Sequence, residues 1–325
     1  TGCGVGGTPP VDFTVFSEYL PKKNRGRFLV LLESFWAVGT ILVAGLAWLI
    51  LPQAPNVGWR VLLAVSAVPG AIVFFIRRHI PESPRYLLIE GREEEARQVL
   101  RQVAQENGTT LDVDRLEVQE RTAGVTVSAL WKKPFARSTL MLWVGWFTIS
   151  LGYYGVFLWL PGIFVGRGFE FLQTYQNTFL LALAQLPGYF SAIYLVERWG
   201  RKWTLVVYLV FSGVFTYLFA VVSGLSFIVG TAMLMSFFTL GAWGVLYAYT
   251  PELYPTEVRA TGMGWASGMT RIAGAIAPSL GGALLSRSLV AALTLYAVSF
   301  VIGGLTVFLL GQETKGRPLL ETVGG

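Results

Sequence analysis

Three ionisable side chains lie inside otherwise apolar stretches of this sequence. Arg271 and Glu33 interrupt long uncharged runs, and Asp12 lies within the apolar residues 1–20. A buried carboxyl group can exchange a proton near neutral pH, and a guanidinium can hold an anion through two parallel hydrogen bonds. These residue types therefore indicate anion binding or proton exchange in apolar surroundings.

A second pattern places opposite charges around a proline at the ends of apolar runs. Glu252-x-x-Pro-x-x-x-Arg259 has the same spacing as Glu18-x-x-Pro-x-x-x-Arg25. Proline ends a helix, and arginine pairs with carboxylates through a planar fork. Such pairs predict a latch between helix ends, and ordinary anchoring of charges at an interface is the alternative. The candidate latch residues are Glu18, Arg25, Glu82, Arg85, Arg198, Arg201, Glu252 and Arg259.

The composition predicts an all-α integral membrane protein, in which membrane-spanning helices position these residues. Of the 325 residues, 54% are hydrophobic and only 14% are charged, whereas soluble domains carry about 25% charged residues. A membrane-spanning helix needs about 20 mainly apolar residues. Runs of that kind cover 28–51, 58–76, 138–164, 172–196, 203–222, 226–250, 260–285 and 289–311, and a ninth, shorter run covers 1–20.

The basic residues predict the orientation of these spans. Of the 25 Lys and Arg residues, 21 lie in alternate breaks between the apolar runs and in the C-terminal segment. Because basic residues collect on the cytoplasmic side of a membrane protein, the net charge of +6 indicates topology and not nucleic-acid binding. The predicted cytoplasmic segments are 21–27, 77–137, 197–202, 251–259 and the C-terminus, 312–325.

The repeated motif predicts two similar halves. Its copies are six spans apart, and PESPRYLL at 81–88 and QETKGRPLL at 312–320 form a second pair with the same separation. Two halves of six helices form a known architecture of secondary transporters. We therefore expect three helices and part of a fourth to precede residue 1, so that roughly nine of twelve are present. The predicted divisions are 1–76 (helices 4 to 6), 77–137 (a connecting loop with short amphipathic helices), 138–311 (the second six-helix half) and 312–325 (a tail).

The chain offers little for enzyme or metal chemistry. Cys3 is the only cysteine and His79 the only histidine, so the sequence predicts no cysteine metal cluster, no cofactor and no Ser/His/Asp set. A membrane-embedded enzyme is therefore the weakest interpretation.

Several strings resemble the major facilitator superfamily, in particular its branch of bacterial metabolite:proton symporters, such as niacin transporters, with synaptic-vesicle-related transporters as relatives. The resemblance implies a fold of two six-helix halves, alternating access, and a latch that closes the cytoplasmic side. The strings are GRFLVLLESFWAVGT, IPESPRYLL, YYGVFLWLPGIF, LAQLPGYFSAIYLVERWGRKWTL, GAWGVLYAYTPELYPTEVRATGMG and QETKGRPLL.

The resemblance also implies roles for residues inside the spans. SGMTRI, which ends on Arg271 and Ile272, is similar to a segment of organic anion transporters, so Arg271 is a candidate for binding a carboxylate; a structural pair with an acid is the alternative. Further candidates lie in helices equivalent to cavity-lining ones, although helix packing or interhelical bonding explains them equally well. They are Tyr153, Tyr154, Gln185, Trp243 and Tyr247.

Glu33 and Asp12 are the candidates for proton coupling. Glu33 lies about 9 Å into its helix at 1.5 Å per residue, so it could belong to the latch instead. Asp12 could instead hydrogen-bond a partner in the helices expected before residue 1.

The sequence thus predicts a proton-coupled transporter of a small organic anion, with an aromatic carboxylate such as nicotinate as the example. A sugar or polyol symporter is the first alternative, although the Gln-Gln-x-Ser-Gly-x-Asn motif of sugar porters is missing from WFTISLGYYGVFLWL. A receptor or scaffold without transport activity is the second. The expected partners are the lipid bilayer, the substrate and protons, with no nucleic acid, in a monomer of the bacterial inner membrane.

Overall fold

The computed structural model describes a chain that is helical wherever it has regular secondary structure. The described residues are 16, 20, 25–54, 56–77, 81–82, 84–89, 91–109 and 127–316, and no strand occurs among them. The predicted all-α class is therefore confirmed. Asp12 and Glu18 lie outside the described residues.

The helices of the described segments follow the apolar runs closely. A 3-10 turn, Thr250–Leu253, joins two of the longest. In chain order the helices are α1 (Arg25–Ile50), α2 (Gly58–Arg77), α3 (Pro84–Ile89), α4 (Glu93–Glu106), α5 (Val127–Leu130), α6 (Ala136–Phe157), α7 (Leu160–Gly166), α8 (Phe171–Arg198), α9 (Arg201–Val221), α10 (Leu225–Tyr249), α11 (Thr256–Leu285) and α12 (Leu289–Leu310).

The chain divides into two compact units. The smaller comprises Thr1–Pro21 and Leu63–Val125, and the larger comprises Lys22–Leu62 and Thr126–Gly325. The smaller unit therefore holds most of α2 together with α3 and α4, whereas the larger holds α1 and α5 to α12. The divisions predicted after residues 76, 137 and 311 stay predictions.

In the smaller unit, α4 lies where the sequence predicts an amphipathic helix. Its first turn carries three glutamates, where the positive end of the helix dipole favours negative charge. Ala96 and Ala104 are buried, and α3 packs against α4. Exposed ion pairs such as Arg92–Glu95, at 2.6 Å, contribute little to stability.

Six described helices are long and apolar enough to cross a membrane by length and composition. They are Gly26–Ile50, Ala136–Phe157, Gln173–Arg198, Arg201–Val221, Leu225–Leu253 and Leu289–Leu310. The expected spans 58–76 and 260–285 do not meet that standard, because Gly58–Val73 is short and α11 carries Arg271 among glycine, serine and threonine residues.

The expected single span 138–164 is broken in the structure. Helix α6 ends at Phe157 and α7 begins at Leu160, with Pro161 in its first turn. Because proline has no N–H to donate to the preceding turn, the helix stops before it and starts again.

In the larger unit, α8 packs against both α1 and α10, and α6 packs against α11 and α12. Glycines make some of these approaches close. A Cβ at Gly155 of α6 would collide with the ring of Tyr296, and one at Gly188 of α8 would collide with the backbone of Phe237. Helices α1, α6, α8, α10 and α11 carry the described candidates for substrate binding and proton coupling.

Candidate functional site

An aromatic cluster forms where α6 meets α10. The ring centroids of Trp146 and Trp243 are 5.5 Å apart, and those of Trp146 and Tyr247 are 4.7 Å apart. Tyr153 joins the cluster at 5.9 Å from Trp243. Trp243 and Tyr247 share one face of α10 because residues four apart on a helix are neighbours. The structure thus brings together three of the predicted site residues and adds Trp146.

Tyr154 extends the cluster to α11. Its ring centroid lies 5.2 Å from that of Tyr153, and a Cβ at Gly274 would lie 3.2 Å from its Cδ2 atom. Gly274 follows Arg271 by about one helical turn. Tyr154 therefore packs over the part of α11 that carries the arginine.

Two opposite charges act on this cluster. Glu33 of α1 and Arg271 of α11 both interact electrostatically with Tyr154 and Tyr247. Trp36 of α1 also interacts with the Tyr153 hydroxyl. Four helices, α1, α6, α10 and α11, thus contribute to one site that combines aromatic faces with a carboxyl group and a guanidinium. Such groups can hold a planar anion and exchange a proton.

Besides Glu197 Oε1 and Thr239 Oγ1, three buried polar atoms on α8 and α10 lack a hydrogen-bond partner among the described residues. They are Gln185 Oε1, the Tyr189 hydroxyl and Trp243 Nε1, on side chains that are 2%, 0% and 6% exposed. An unsatisfied buried polar atom is costly, so a ligand or water that satisfied one would be favoured. Tyr189 was not predicted, although it is a mid-span tyrosine like Tyr153 and Tyr154.

A cluster of charges lies at the other end of α8 and α10. Arg201 Nε is 3.0 Å from Glu252 Oε2, and the two side chains are 8% and 12% exposed. Glu197 is a weaker partner of Arg201 at 3.4 Å. The guanidinium also fills the space beside Gly26, where a side chain would collide with it. This cluster therefore includes the first turn of α1 as well as helices of the following half.

Glu313 completes the cluster from the segment after α12. Its carboxylate accepts hydrogen bonds from the backbone N–H groups of Arg201, at 2.9 Å, and Lys202, at 3.2 Å. Negative charge is stabilised at such a helix start. The Thr314 hydroxyl donates to Glu252 Oε2 at 2.6 Å. Glu313 was not predicted, although it is the acid of the QETKGR string.

Gly200 makes this arrangement feasible. Its φ of +93° lies in the left-handed region, and the Glu313 carboxylate occupies the place of a Cβ. A residue with a side chain would be strained there and would displace Glu313.

The sequence predicts an ion pair between Glu252 and Arg259, but in the described residues Glu252 pairs with Arg201. Arg259 Nε donates to the carbonyls of Pro251, at 3.0 Å, and Tyr254, at 3.2 Å. Arg259 lies near the start of α11, so its side chain reaches back to the turn before that helix. The ion-pair partner of Glu252 is Arg201.

The other latch candidates are spread over both units. Arg198 is exposed and donates to the Tyr194 hydroxyl at 2.6 Å. Glu82 is exposed in the smaller unit. The side chains of Arg25 and Arg85 lie outside the described part of the chain.

Comparison with known proteins shows which family this chain resembles. Residues 1–323 match the family described as sugar (and other) transporter. The chain is 39% identical to the niacin transporter NiaP of Acinetobacter baylyi, over 99% of this chain and 73% of the relative. It is 37% identical to the putative niacin/nicotinamide transporter NiaP of Bacillus subtilis, over 98% and 72%. A synaptic vesicle 2-related protein of Bos taurus is 32% identical, over 99% and 62%.

Solved structures show the same fold. A major facilitator superfamily proton:xylose symporter, XylE, bound to 6-bromo-6-deoxy-D-glucose matches with a TM-score of 0.72 at 18% identity, over 94% of this chain and 68% of that chain. A partially occluded inward-open xylose transporter from E. coli matches with a TM-score of 0.71 at 16% identity, over the same shares.

Proposed function

Because this chain belongs to the family of sugar and other transporters in the major facilitator superfamily, we propose that it carries a small aromatic carboxylate across the membrane together with protons. Members of this family are multi-pass membrane transporters and not enzymes, which agrees with the sequence prediction. Nicotinate is the substrate to test first, and alternating access is the proposed mechanism.

The observation that supports this proposal is the aromatic cluster flanked by Glu33 and Arg271. Tyrosine and tryptophan rings favour offset-stacked or edge-to-face contacts with another aromatic ring. An arginine can hold a carboxylate through two parallel hydrogen bonds. A cation near the middle of a helix in the bilayer is costly unless it serves a partner or a ligand. An aromatic acid has a ring that could stack on the aromatic side chains and a carboxylate that could bind Arg271.

The unsatisfied atoms on α8 and α10 support a ligand with polar groups. Trp243 Nε1 can only donate, Gln185 Oε1 can only accept, and the Tyr189 hydroxyl can do both. A pyridine carboxylate offers a ring nitrogen and carboxylate oxygens, so it could satisfy more of these atoms than a purely apolar ring. The two niacin transporters at 39% and 37% identity point to the same class of substrate.

The charge cluster around Arg201 is the proposed gate on the cytoplasmic side. It links segments before and after the large polar loop, and its ion pair is largely buried. We place the protein in the bacterial inner membrane, with the segments 21–27, 77–137, 197–202, 251–259 and 312–325 in the cytoplasm.

Uptake by the full-length transporter in proteoliposomes tests the substrate class. With an inward proton gradient, we expect accumulation of labelled nicotinate, weaker accumulation of benzoate, which lacks the ring nitrogen, and no uptake of a hexose above that of empty liposomes. Hexose uptake without nicotinate uptake would favour the sugar alternative. Nicotinate binding without exchange across the bilayer would favour the receptor.

Glu33→Gln is expected to abolish accumulation but not exchange. One pH unit is worth about 1.4 kcal/mol, so a gradient of that size drives about tenfold accumulation when one proton accompanies each substrate. Glutamine keeps the size of Glu33 but cannot carry the proton. The variant should therefore fill liposomes only to the external concentration, while exchange of labelled for unlabelled nicotinate continues.

The matched control for this measurement is Glu106→Gln, a glutamate that is exposed at the end of α4. It should accumulate nicotinate like the parent protein. Full accumulation by the Glu33 variant would exclude Glu33 as the coupling residue.

A further inference from the structure

Two side chains of helix α6 form hydrogen bonds at the two ends of the turn Thr250–Leu253. Trp146 Nε1 donates to Thr250 Oγ1 at 3.0 Å, and the hydroxyls of Thr139 and Tyr254 are hydrogen-bonded at 3.0 Å. Thr139 and Trp146 are about two helical turns apart on α6. The turn between these bonds carries Glu252, the acid of the buried ion pair.

The bond between Trp146 and Thr250 has fixed donor and acceptor roles. Trp146, Thr250 and Thr139 are all completely buried. The Thr250 hydroxyl donates to the carbonyl of Leu246 at 2.7 Å, so its remaining capacity is that of an acceptor. An indole has one N–H and no acceptor, so Trp146 must be the donor and Thr250 the acceptor. Sideways movement of the turn breaks it.

Trp146 also belongs to the aromatic cluster. Its ring meets the rings of Trp243 and Tyr247 edge to face, at interplanar angles of 71° and 89°. One rigid side chain therefore contacts the proposed substrate site with its ring and the proposed gate turn with its N–H group.

We infer that Trp146 is a positioning residue that couples occupancy of the aromatic cluster to the cytoplasmic gate. The inference rests on the proposed function, because it takes the cluster as the substrate site. A ring bound there would press on Trp243 or Tyr247 and shift the indole. Loss or gain of the bond to Thr250 would then change the position of the turn and so the stability of the ion pair between Glu252 and Arg201. A ligand shifts such an equilibrium only through contacts that differ between the two states.

Hydrogen–deuterium exchange of the full-length protein, read at peptides covering residues 249–254, tests the coupling without requiring any ligand. Trp146→Phe keeps an aromatic ring and removes the N–H. Loss of one buried hydrogen bond should raise exchange at the turn about threefold to tenfold. Thr250→Val should raise it similarly, whereas Thr250→Ser, which keeps the hydroxyl, should match the parent.

The controls separate a specific bond from general loosening of the helices. The double variant Trp146→Phe/Thr250→Val should exchange no faster than the more affected single variant, because the bond between Trp146 and Thr250 is already absent from each single variant. Trp203→Phe removes an exposed indole that meets the Phe308 ring edge to face and should leave exchange at the turn unchanged. Additive effects of the two single changes, or an unchanged turn in Trp146→Phe, would overturn the inference.

Adding nicotinate to the same samples separates this inference from the proposed function. In the parent, saturating nicotinate should alter exchange at the turn. With nicotinate at a concentration that saturates each protein, Trp146→Phe should show a smaller response of the turn and a lower maximal uptake rate than the parent. Absence of nicotinate binding in the parent would refute the proposed substrate and leave the ligand-free result to decide the role of Trp146. Binding with an equal response in both proteins would refute the coupling.

Discussion

Replacing Arg271 with glutamine is expected to lower nicotinate uptake at subsaturating concentration by about tenfold to a hundredfold. A hydrogen bond to a charged group contributes about 1.5–3 kcal/mol, and about 1.4 kcal/mol corresponds to a factor of ten in affinity. Arg271 is exposed on α11, so the change should cost little stability. Initial uptake rates over a range of concentrations would show the loss mainly as a raised KM.

Two controls make this measurement specific. Arg287→Gln removes an exposed arginine just after the end of the same helix and should leave uptake unchanged. Nicotinamide, which has the same ring but no negative charge, should compete with nicotinate equally well in the parent and in Arg271→Gln. If the variant takes up nicotinate with the KM of the parent, Arg271 is a structural residue and the carboxylate is bound elsewhere.

Replacing Glu252 with glutamine should open the gate. Removing one partner of a buried ion pair costs about 3–5 kcal/mol, because it leaves the other charge uncompensated. Most of this cost would fall on the closed state, because Arg201 is hydrated again when the cluster separates in the open state. We expect cleavage by trypsin between residues 198 and 202 to become faster by about tenfold or more when the protease is added from the cytoplasmic side.

Glu197→Gln is the matched control, because Glu197 also pairs with Arg201. Its side chain is 35% exposed and the atoms are 3.4 Å apart, so this pair should contribute less than the shorter, more buried pair with Glu252. Cleavage should stay within about twofold of the parent, as expected for a weak surface pair. Equal acceleration in both variants would mean that total charge, and not the buried Glu252 pair, holds the cluster together.

The fold was predictable because the bilayer limits it so strongly. A backbone in lipid must form its hydrogen bonds internally, so each long apolar run could be assigned to a helix. The break between α6 and α7 was missed because the residues around Pro161 are as apolar as those before them. Hydropathy alone does not register the missing N–H group that ends the helix.

The candidate site residues could be proposed from the sequence where an ionisable side chain interrupts an apolar run, whereas contacts that depend on how the helices approach each other could not. Arg271 and Glu33 were recognisable as charges in apolar runs, and the structure places both near Tyr154 and Tyr247. The partner of Glu252 was not predictable from spacing, because Arg201 is far from it in the sequence. The contact of Trp146 with Thr250 depends on how α6 and the turn approach each other, which no local pattern encodes.

The weak hydropathy of α11 has a consequence for how the protein is made. Newly synthesised segments enter the bilayer according to their own transfer free energy, and an arginine near the centre of a segment adds about 2.5 to 3.5 kcal/mol. Helix α11 combines Arg271 with many small residues, so it gains less from lipid than α10 before it or α12 after it. It packs along α6 and touches α12, and those neighbours can shield its polar face. We therefore expect α11 on its own to insert into the bilayer less readily than α10 or α12, because Arg271, the residue proposed to bind the anion, adds to its transfer free energy.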